Sequence, residues 1–251
     1  MKKLLTILFI IPLAVSAQQD SVLSGNYSWK EPLVEKNKIN SSVILEGKVH
    51  DFDWMQISAN TITSGKNIKL TIPSNQEQLI IIKSGTCSIK INDSVFSLTP
   101  GSVAVLMPGQ KYALKKTGNE DCSFFTMKYR SKQPINLQRG GSSFVKIWET
   151  IPFKPNTIGG GRRDFFERPT AMQKRFEMHV TTLKEGIKSH EPHTHRAEEI
   201  VLILEGNTEM QIGQAIVKTG VGGFYYLGSN LLHAIKNIGT KPGTYFAFQF
   251  E

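Results

Sequence analysis

His193, His195 and Glu199 fall close together in the stretch SHEPHTHRAEEIVLILEG, directly ahead of an apolar run that ends at Gly206. Imidazoles with one carboxylate suit a divalent first-row transition metal such as Mn, Fe, Co, Ni, Cu or Zn, whereas calcium and magnesium prefer oxygen ligands. EEIVLILEG reads as a strand that is apolar on both faces beyond Glu199, so it belongs at the centre of a sheet with cover on each side. Alternation puts Glu199, Val201 and Ile203 on one face and Ile200, Leu202 and Leu204 on the other. If Glu199 faces the interior, a buried carboxylate needs a partner, and a cation is the simplest one. His193 and His195, two apart on an extended segment, can project from one side toward that cation. His233, just after a turn in GGFYYLGSNLLHAIKN, is the candidate fourth donor. His190 reads as a flanking loop residue, and Glu198, of opposite parity to Glu199, as a solvent-facing or supporting acid.

Three imidazoles and one carboxylate leave a metal with room for substrate or water, so it can polarise a carbonyl or, if redox-active, activate oxygen. Candidates for a second catalytic group are His179, in RFEMHVTTL, and the arginines of GGGRRDFFERP, Arg163 and its neighbour Arg162. The three glycines predict a mobile segment that swings the arginines over the site to bind a carboxylate; a solvated linker is the competing reading. A lone strand histidine is more often packed than catalytic, which is the competing reading of His179. Two classes of function follow. One is a metal-dependent dioxygenase, isomerase or hydrolase acting on a small polar or aromatic molecule. The other is a non-catalytic protein that binds metal or a small ligand.

The elements that must hold these residues come from a repeat. Shifting the chain against itself by about 120 positions superposes Gly65 on Gly186, Gly85 on Gly206, Thr99 on Thr219 and Gly118 on Gly239, and brings Trp29 near Trp148. Within each copy the hydrophobic period is two, and short β-rich runs alternate with Gly, Asn and Pro turns, which predicts an all-β sandwich or barrel. The copies are expected over 18–135 and 145–251, joined by the Pro, Gly and Ser-containing stretch SKQPINLQRGGSS. At an offset of 121, His193, His195, Glu199 and His233 fall on Ile72, Ser74, Gln78 and Tyr112, so the first copy is expected to bind no metal. Its expected role is structural, covering the second copy or forming a homodimer interface, and an emptied barrel could still hold an organic ligand.

Residues 1–17 carry Lys2 and Lys3, the block LLTILFIIPLAV and small residues before Gln18, the pattern of a secretory signal peptide. A periplasmic or secreted protein, with no membrane association after cleavage, is the expectation. Removing Lys2 and Lys3 leaves 28 basic against 21 acidic residues, a formal charge of +7, with the lysines scattered. That distribution and export argue against nucleic acid as a partner and leave a small-molecule substrate. Two cysteines, Cys87 and Cys122, are too few for a disulfide scaffold and are expected as free thiols, although an oxidising compartment permits a bridge.

Gly186 to Gly206 and Gly222 to Asn237 resemble the two motifs of the cupin superfamily. The first motif is matched by Gly186, His193, His195, Glu199 and Gly206, with one extra residue after Gly186; the second by Gly222, His233 and Asn237, with Gly228 and Asn230 at its proline and glycine positions. The resemblance implies two tandem cupin jelly-roll barrels with one divalent metal in the second. Among two-domain cupins the chain is distantly similar to ureidoglycine aminohydrolases, manganese enzymes in which only the C-terminal barrel carries metal. Their motif has glutamate in place of His193 and glutamine in place of His233. The set of three histidines and one glutamate is more similar to that of cupin dioxygenases, and of cupins with isomerase or lyase activity.

Overall fold

A computed structural model describes residues 21–36, 38–157 and 159–251 of the chain, so the signal peptide expected over 1–17 lies outside the described residues. The period of two becomes strands in both copies. In the second these are Phe176–Leu183, Glu198–Glu205, Asn207–Ile212, Phe224–Leu227, His233–Asn237 and Gly243–Phe250. Two more strands join them, Gly161–Arg168 and Ala215–Gly220. The latter completes a hairpin with Asn207–Ile212 around Gly213, whose φ of 59° suits the left-handed corner of a two-residue loop. Asn92, with φ of 53°, turns the matching corner of the first copy.

Each copy builds a seven-stranded sheet and a smaller one, of four strands in the first copy and three in the second. Side chains of the two sheets interleave into an apolar core inside each copy, Ile80, Ile82, Ile89 and Leu114 in the first and Val201, Ile203, Met210 and Ile235 in the second. The architecture is thus two all-β jelly rolls whose sheets stay separate in their hydrogen bonding rather than closing into one cylinder. The join carries one four-residue helix, Leu137–Gly140, with the Asn136 side chain accepting from Arg139 N at 2.9 Å. No helix among the described residues is long and apolar enough to cross a membrane.

The copies exchange their first strands. Gly25–Tyr27, ahead of the first jelly roll, pairs with Phe224–Leu227 of the second, and Phe144–Lys146, at the start of the second, pairs with Val103–Leu106 of the first. The large sheets also pack on each other, Ile57, Leu79, Ile81 and Phe125 against Ile200, Leu202, Phe224 and Phe248. Burial of such side chains contributes about 2 kcal/mol each. Glu198–Glu205 is therefore covered on both faces, Ile200 and Leu202 by the other copy and Val201 and Ile203 by its own jelly roll.

Glu198 is not solvent-facing: it is buried at this interface, where its carboxylate accepts from His50 N at 2.8 Å, from Asp51 N at 3.0 Å and from the Tyr226 hydroxyl. Its repeat equivalent Glu77 does the reciprocal service, accepting from Met172 N at 3.0 Å, Thr170 Oγ1 at 2.8 Å and Tyr129 Oη at 2.7 Å. Each copy thus grips the other's backbone through one buried carboxylate, whose lone pairs are occupied by hydrogen-bond donors.

Candidate metal centre

Alternation along Glu198–Glu205 turns Glu199 into the second jelly roll, where it is buried. His193 and His233 reach it as an antiparallel pair, each backbone N–H donating to the other's carbonyl at 3.1 and 3.0 Å. Direct opposition puts both imidazoles on one face, with ring centroids 4.6 Å apart. His195 lies on the same segment, held by Asn230 N donating to its carbonyl at 2.8 Å. The outer nitrogens are fixed by the backbone: His195 Nδ1 lies 2.8 Å from Ala197 O and His233 Nδ1 lies 2.8 Å from Leu231 O. Donation to those carbonyls directs both Nε2 lone pairs inward, the arrangement that orients histidine ligands.

The inward atoms converge. His195 Nε2 and His233 Nε2 lie 3.1 and 3.2 Å from the same Glu199 Oε2, and the ligand atoms of His193, His195 and His233 all lie within 4.8 Å of one another. Metal bonds of about 2.1 Å place neighbouring donors roughly 3–3.5 Å apart, so the set is close to the spacing a shared ion requires. His193 Nδ1 and His233 Nε2 are buried without hydrogen-bond partners. Inward-facing nitrogen lone pairs beside a carboxylate oxygen are all acceptors, and only a proton or a cation relieves them. The residues therefore fit a divalent transition metal. Burial opposes ionisation of Glu199, but the imidazoles of His195 and His233 beside it outweigh burial and hold the carboxyl at about 2. Burial and the neighbouring histidines push His193 down, keeping its imidazole neutral.

A cavity of about 220 Å³ adjoins His193, Glu199 and His233, and residues outside the ligand set share its wall. His179 is one of them, its Nδ1 2.7 Å from the carboxylate of buried Glu177, which also accepts from Arg162 Nη2 at 2.9 Å. The other carboxylate beside Arg162, Asp164, is held at about 2 by its hydrogen bonds from Lys154 and Arg162.

The arginines do not form a mobile lid. Gly161–Arg168 is a strand of the large sheet, paired with Phe176–Leu183, and alternation separates its arginines. Arg162 lines the cavity, whereas Arg163 turns away to lie 4.9 Å over the Trp148 ring and 5.5 Å over Phe153 and to donate to Ile151 O. The structure does not bring Arg163 to the metal site. Two residues there were not singled out by sequence. Gln249 sits across the sheet from both Glu177 and Glu199, with Nε2 3.3 Å from His195 Nε2, and Glu177 is the two-residue neighbour that parity on the strand of His179 would have found. His190 is more than a flanking residue, since it lines the cavity with its ring 4.1 Å from that of His193.

In the first jelly roll Gln78 takes the place of Glu199 and Tyr112 that of His233, as the 121-residue offset predicts. Across from Tyr112 stands Leu70, whereas His193 stands across from His233, so Leu70 rather than Ile72 occupies the His193 position. The connection from His193 to Glu199 is two residues shorter than its counterpart from Leu70 to Gln78, which slips the offset locally. No set of three metal-binding side chains forms there among the described residues.

The cupin domain family model matches residues 179–248, and the AraC-like ligand binding domain model matches residues 73–145. A search of curated proteins finds no match. Among solved structures, a glyoxylate-induced protein from Pseudomonas aeruginosa has a TM-score of 0.68 at 18% identity, over 85% of this chain and 80% of its own. AerE from Microcystis aeruginosa has a TM-score of 0.66 at 14% identity, over 90% of this chain and 98% of its own. An oxalate decarboxylase from Bacillus subtilis has a TM-score of 0.65 at 11% identity, over 93% of this chain and 79% of its own. At these identities the likeness is one of fold. A cupin domain thus matches residues 179–248 of the second copy, and the first copy is a jelly roll of the same plan.

Proposed function

We propose that the chain is an exported, metal-dependent enzyme that acts on a small carboxylate-bearing molecule in its second jelly roll, with His193, His195, Glu199 and His233 holding one divalent metal. The observation that carries this reading is His179, an imidazole outside the ligand set, in the same cavity and backed by a buried carboxylate. A filled structural site has no use for a supported base beside it, whereas an active site does. A bound divalent ion would supply Lewis-acid polarisation of a substrate oxygen.

The protein's own residues supply the rest. Glu177 accepts from His179 Nδ1–H, which leaves Nε2 with its lone pair available to take a proton from substrate and later return it. Arg162 holds the Glu177 carboxylate in place. The cavity of about 220 Å³ falls below the range of about 300–1,000 Å³ usual for pockets that take large ligands, which favours a short acid over a large aromatic one. The oxalate decarboxylase and the glyoxylate-induced protein are named for acids of that size.

The test is turnover of a panel of short oxo-, hydroxy- and dicarboxylic acids by metal-loaded protein, with oxygen uptake followed in parallel. His179→Gln should lower kcat at least a hundredfold with metal content unchanged. Absence of turnover across the panel with every metal, or full activity in His179→Gln, would overturn the assignment. Export is tested by intact mass of protein from its native host, expected to begin at or near Gln18; retention of residues 1–17 would refute it.

A further inference from the structure

The strand Gly243–Phe250 runs between the strand of His179 and the strand of Glu199, and alternation sends Tyr245, Ala247 and Gln249 into the cavity. Gln249 stands in one cross-strand row with Glu177 and Glu199. A side-chain amide accepts at one end and donates at the other, and its neighbours decide which end meets the cavity. Arg175 Nη1 lies 3.1 Å from Gln249 Oε1, and Arg175 Nε donates to Glu167 at 2.7 Å. A guanidinium only donates, so the amide oxygen faces Arg175 and the NH2 faces the cavity. Glu167, Arg175 and Gln249 thus form a chain that begins at an exposed acid and ends with two N–H donors on the cavity wall.

Among the described residues those donors meet one acceptor, His195 Nε2 at 3.3 Å. That acceptor is shared. His195 Nδ1 donates to Ala197 O, so Nε2 carries the ring's lone pair, and the same lone pair faces Glu199 Oε2 at 3.1 Å. A lone pair committed to a cation, or to a proton held with Glu199, accepts nothing further. In the metal-loaded protein both N–H groups of Gln249 therefore lack a partner on the protein. Donors enclosed by protein rarely stay unpaired, which leaves the molecule in the cavity to supply the acceptor. The other groups on the wall are engaged. Arg162, the cation there, is held by Glu177 and Asp164; His179 Nδ1 is held by Glu177, and its Nε2 serves as an acceptor.

We propose that Gln249 receives the substrate carboxylate, its Nε2–H donating to a carboxylate oxygen beside His195. The inference rests on the metal-dependent reading given above and assigns recognition within that site. It makes recognition depend on a neutral donor aimed by Arg175 rather than on an arginine, so the cavity takes a ligand with an oxygen acceptor and disfavours one without.

The cobalt-loaded full chain tests this without turnover, with acetate as probe, imidazole as control, and the visible spectrum of the ion as the readout of binding. Acetate should bind the wild-type protein. Gln249→Met, which keeps the length and removes the donors, should weaken acetate by roughly tenfold or more. It should still hold one cobalt per chain with unchanged affinity, and imidazole, which has no oxygen to accept, should bind it as it binds wild type. Gln249→Glu, which keeps an acceptor for Arg175 and presents an anion to the cavity, should also lose acetate, and it carries the test if Gln249→Met fails to fold. Full acetate affinity in a folded variant, no acetate binding by loaded wild type, or equal losses of acetate and imidazole would each overturn the proposal. Loss of cobalt in Gln249→Met would overturn it too, by making Gln249 a support for His195. Failure of the metal-dependent reading looks different: wild-type protein that takes up no cobalt would refute the centre and this inference together.

Discussion

His233→Ala removes a nearly inaccessible imidazole, 3% exposed, whose Nε2 faces the Glu199 carboxylate at 3.2 Å. If these residues share an ion, the consequence can be worked out. Metal that binds only the folded chain stabilises it by RT ln(1 + [L]/Kd), about 2.7 kcal/mol when free metal is 100 times Kd. For a chain of this size each kcal/mol moves the melting temperature by about 2–4 °C, so the wild-type protein should gain roughly 5–11 °C from metal. Changing a residue that merely supports a ligand costs about 10–100-fold in affinity, and removing a ligand should cost at least as much. A hundredfold loss brings free metal to Kd, where the same expression gives about 0.4 kcal/mol and a rise of about 1 °C. The assay is metal per chain by elemental analysis alongside melting with and without chelator. His195→Ala, which removes the partner at 3.1 Å, should behave alike. Stoichiometric metal and an undiminished melting shift in both variants would refute the ligand assignment.

Stability of the metal-free protein should peak between about pH 4.5 and 6.5. Glu199 is depressed from 4.5 to about 2, so its contribution is present above 4.5 and lost as pH falls toward 2; His195 is raised above 6.5, mainly by its hydrogen bond to Glu199, so its contribution is present below 6.5 and lost as pH rises through the shifted value. Melting curves across pH should lose the alkaline decline in His195→Ala, and an unchanged profile would count against the pair. The whole chain should carry one equivalent of metal; two would show that the first jelly roll had been misread. Cys87 and Cys122, both buried and free, should titrate as two thiols per chain under denaturing, non-reducing conditions, and none would demonstrate a bridge. Deleting residues 18–30 should lower the melting temperature and promote aggregation, because it strips Gly25–Tyr27 from Phe224–Leu227 and the Tyr27 ring from its stack on Phe224 at 5.4 Å. Unchanged melting and solubility would mean that the exchanged strand contributes little.

The sequence by itself determined the local rules of this protein. A period of two and regular turns made it all-β; the repeat at about 120 residues made it double; and parity along EEIVLILEG sent Glu199 inward with Val201 and Ile203. Those properties are legible because each depends on residues adjacent in the chain, where side-chain alternation is fixed by the backbone. The tertiary structure decided what depends on register between distant strands. Whether His193 opposes His233, whether Arg162 or Arg163 reaches the cavity, and that Gln249 lies between Glu177 and Glu199 follow from pairings across many residues, and a shift of one residue reverses the face of each side chain. The exchange of first strands and the reciprocal clamps of Glu77 and Glu198 were equally out of reach, because an edge strand carries no mark of which sheet it will complete and a buried acid none of whose backbone it will hold. Sequence placed the carboxylate; only packing of one copy against the other decided that Glu198 is enclosed by protein rather than water.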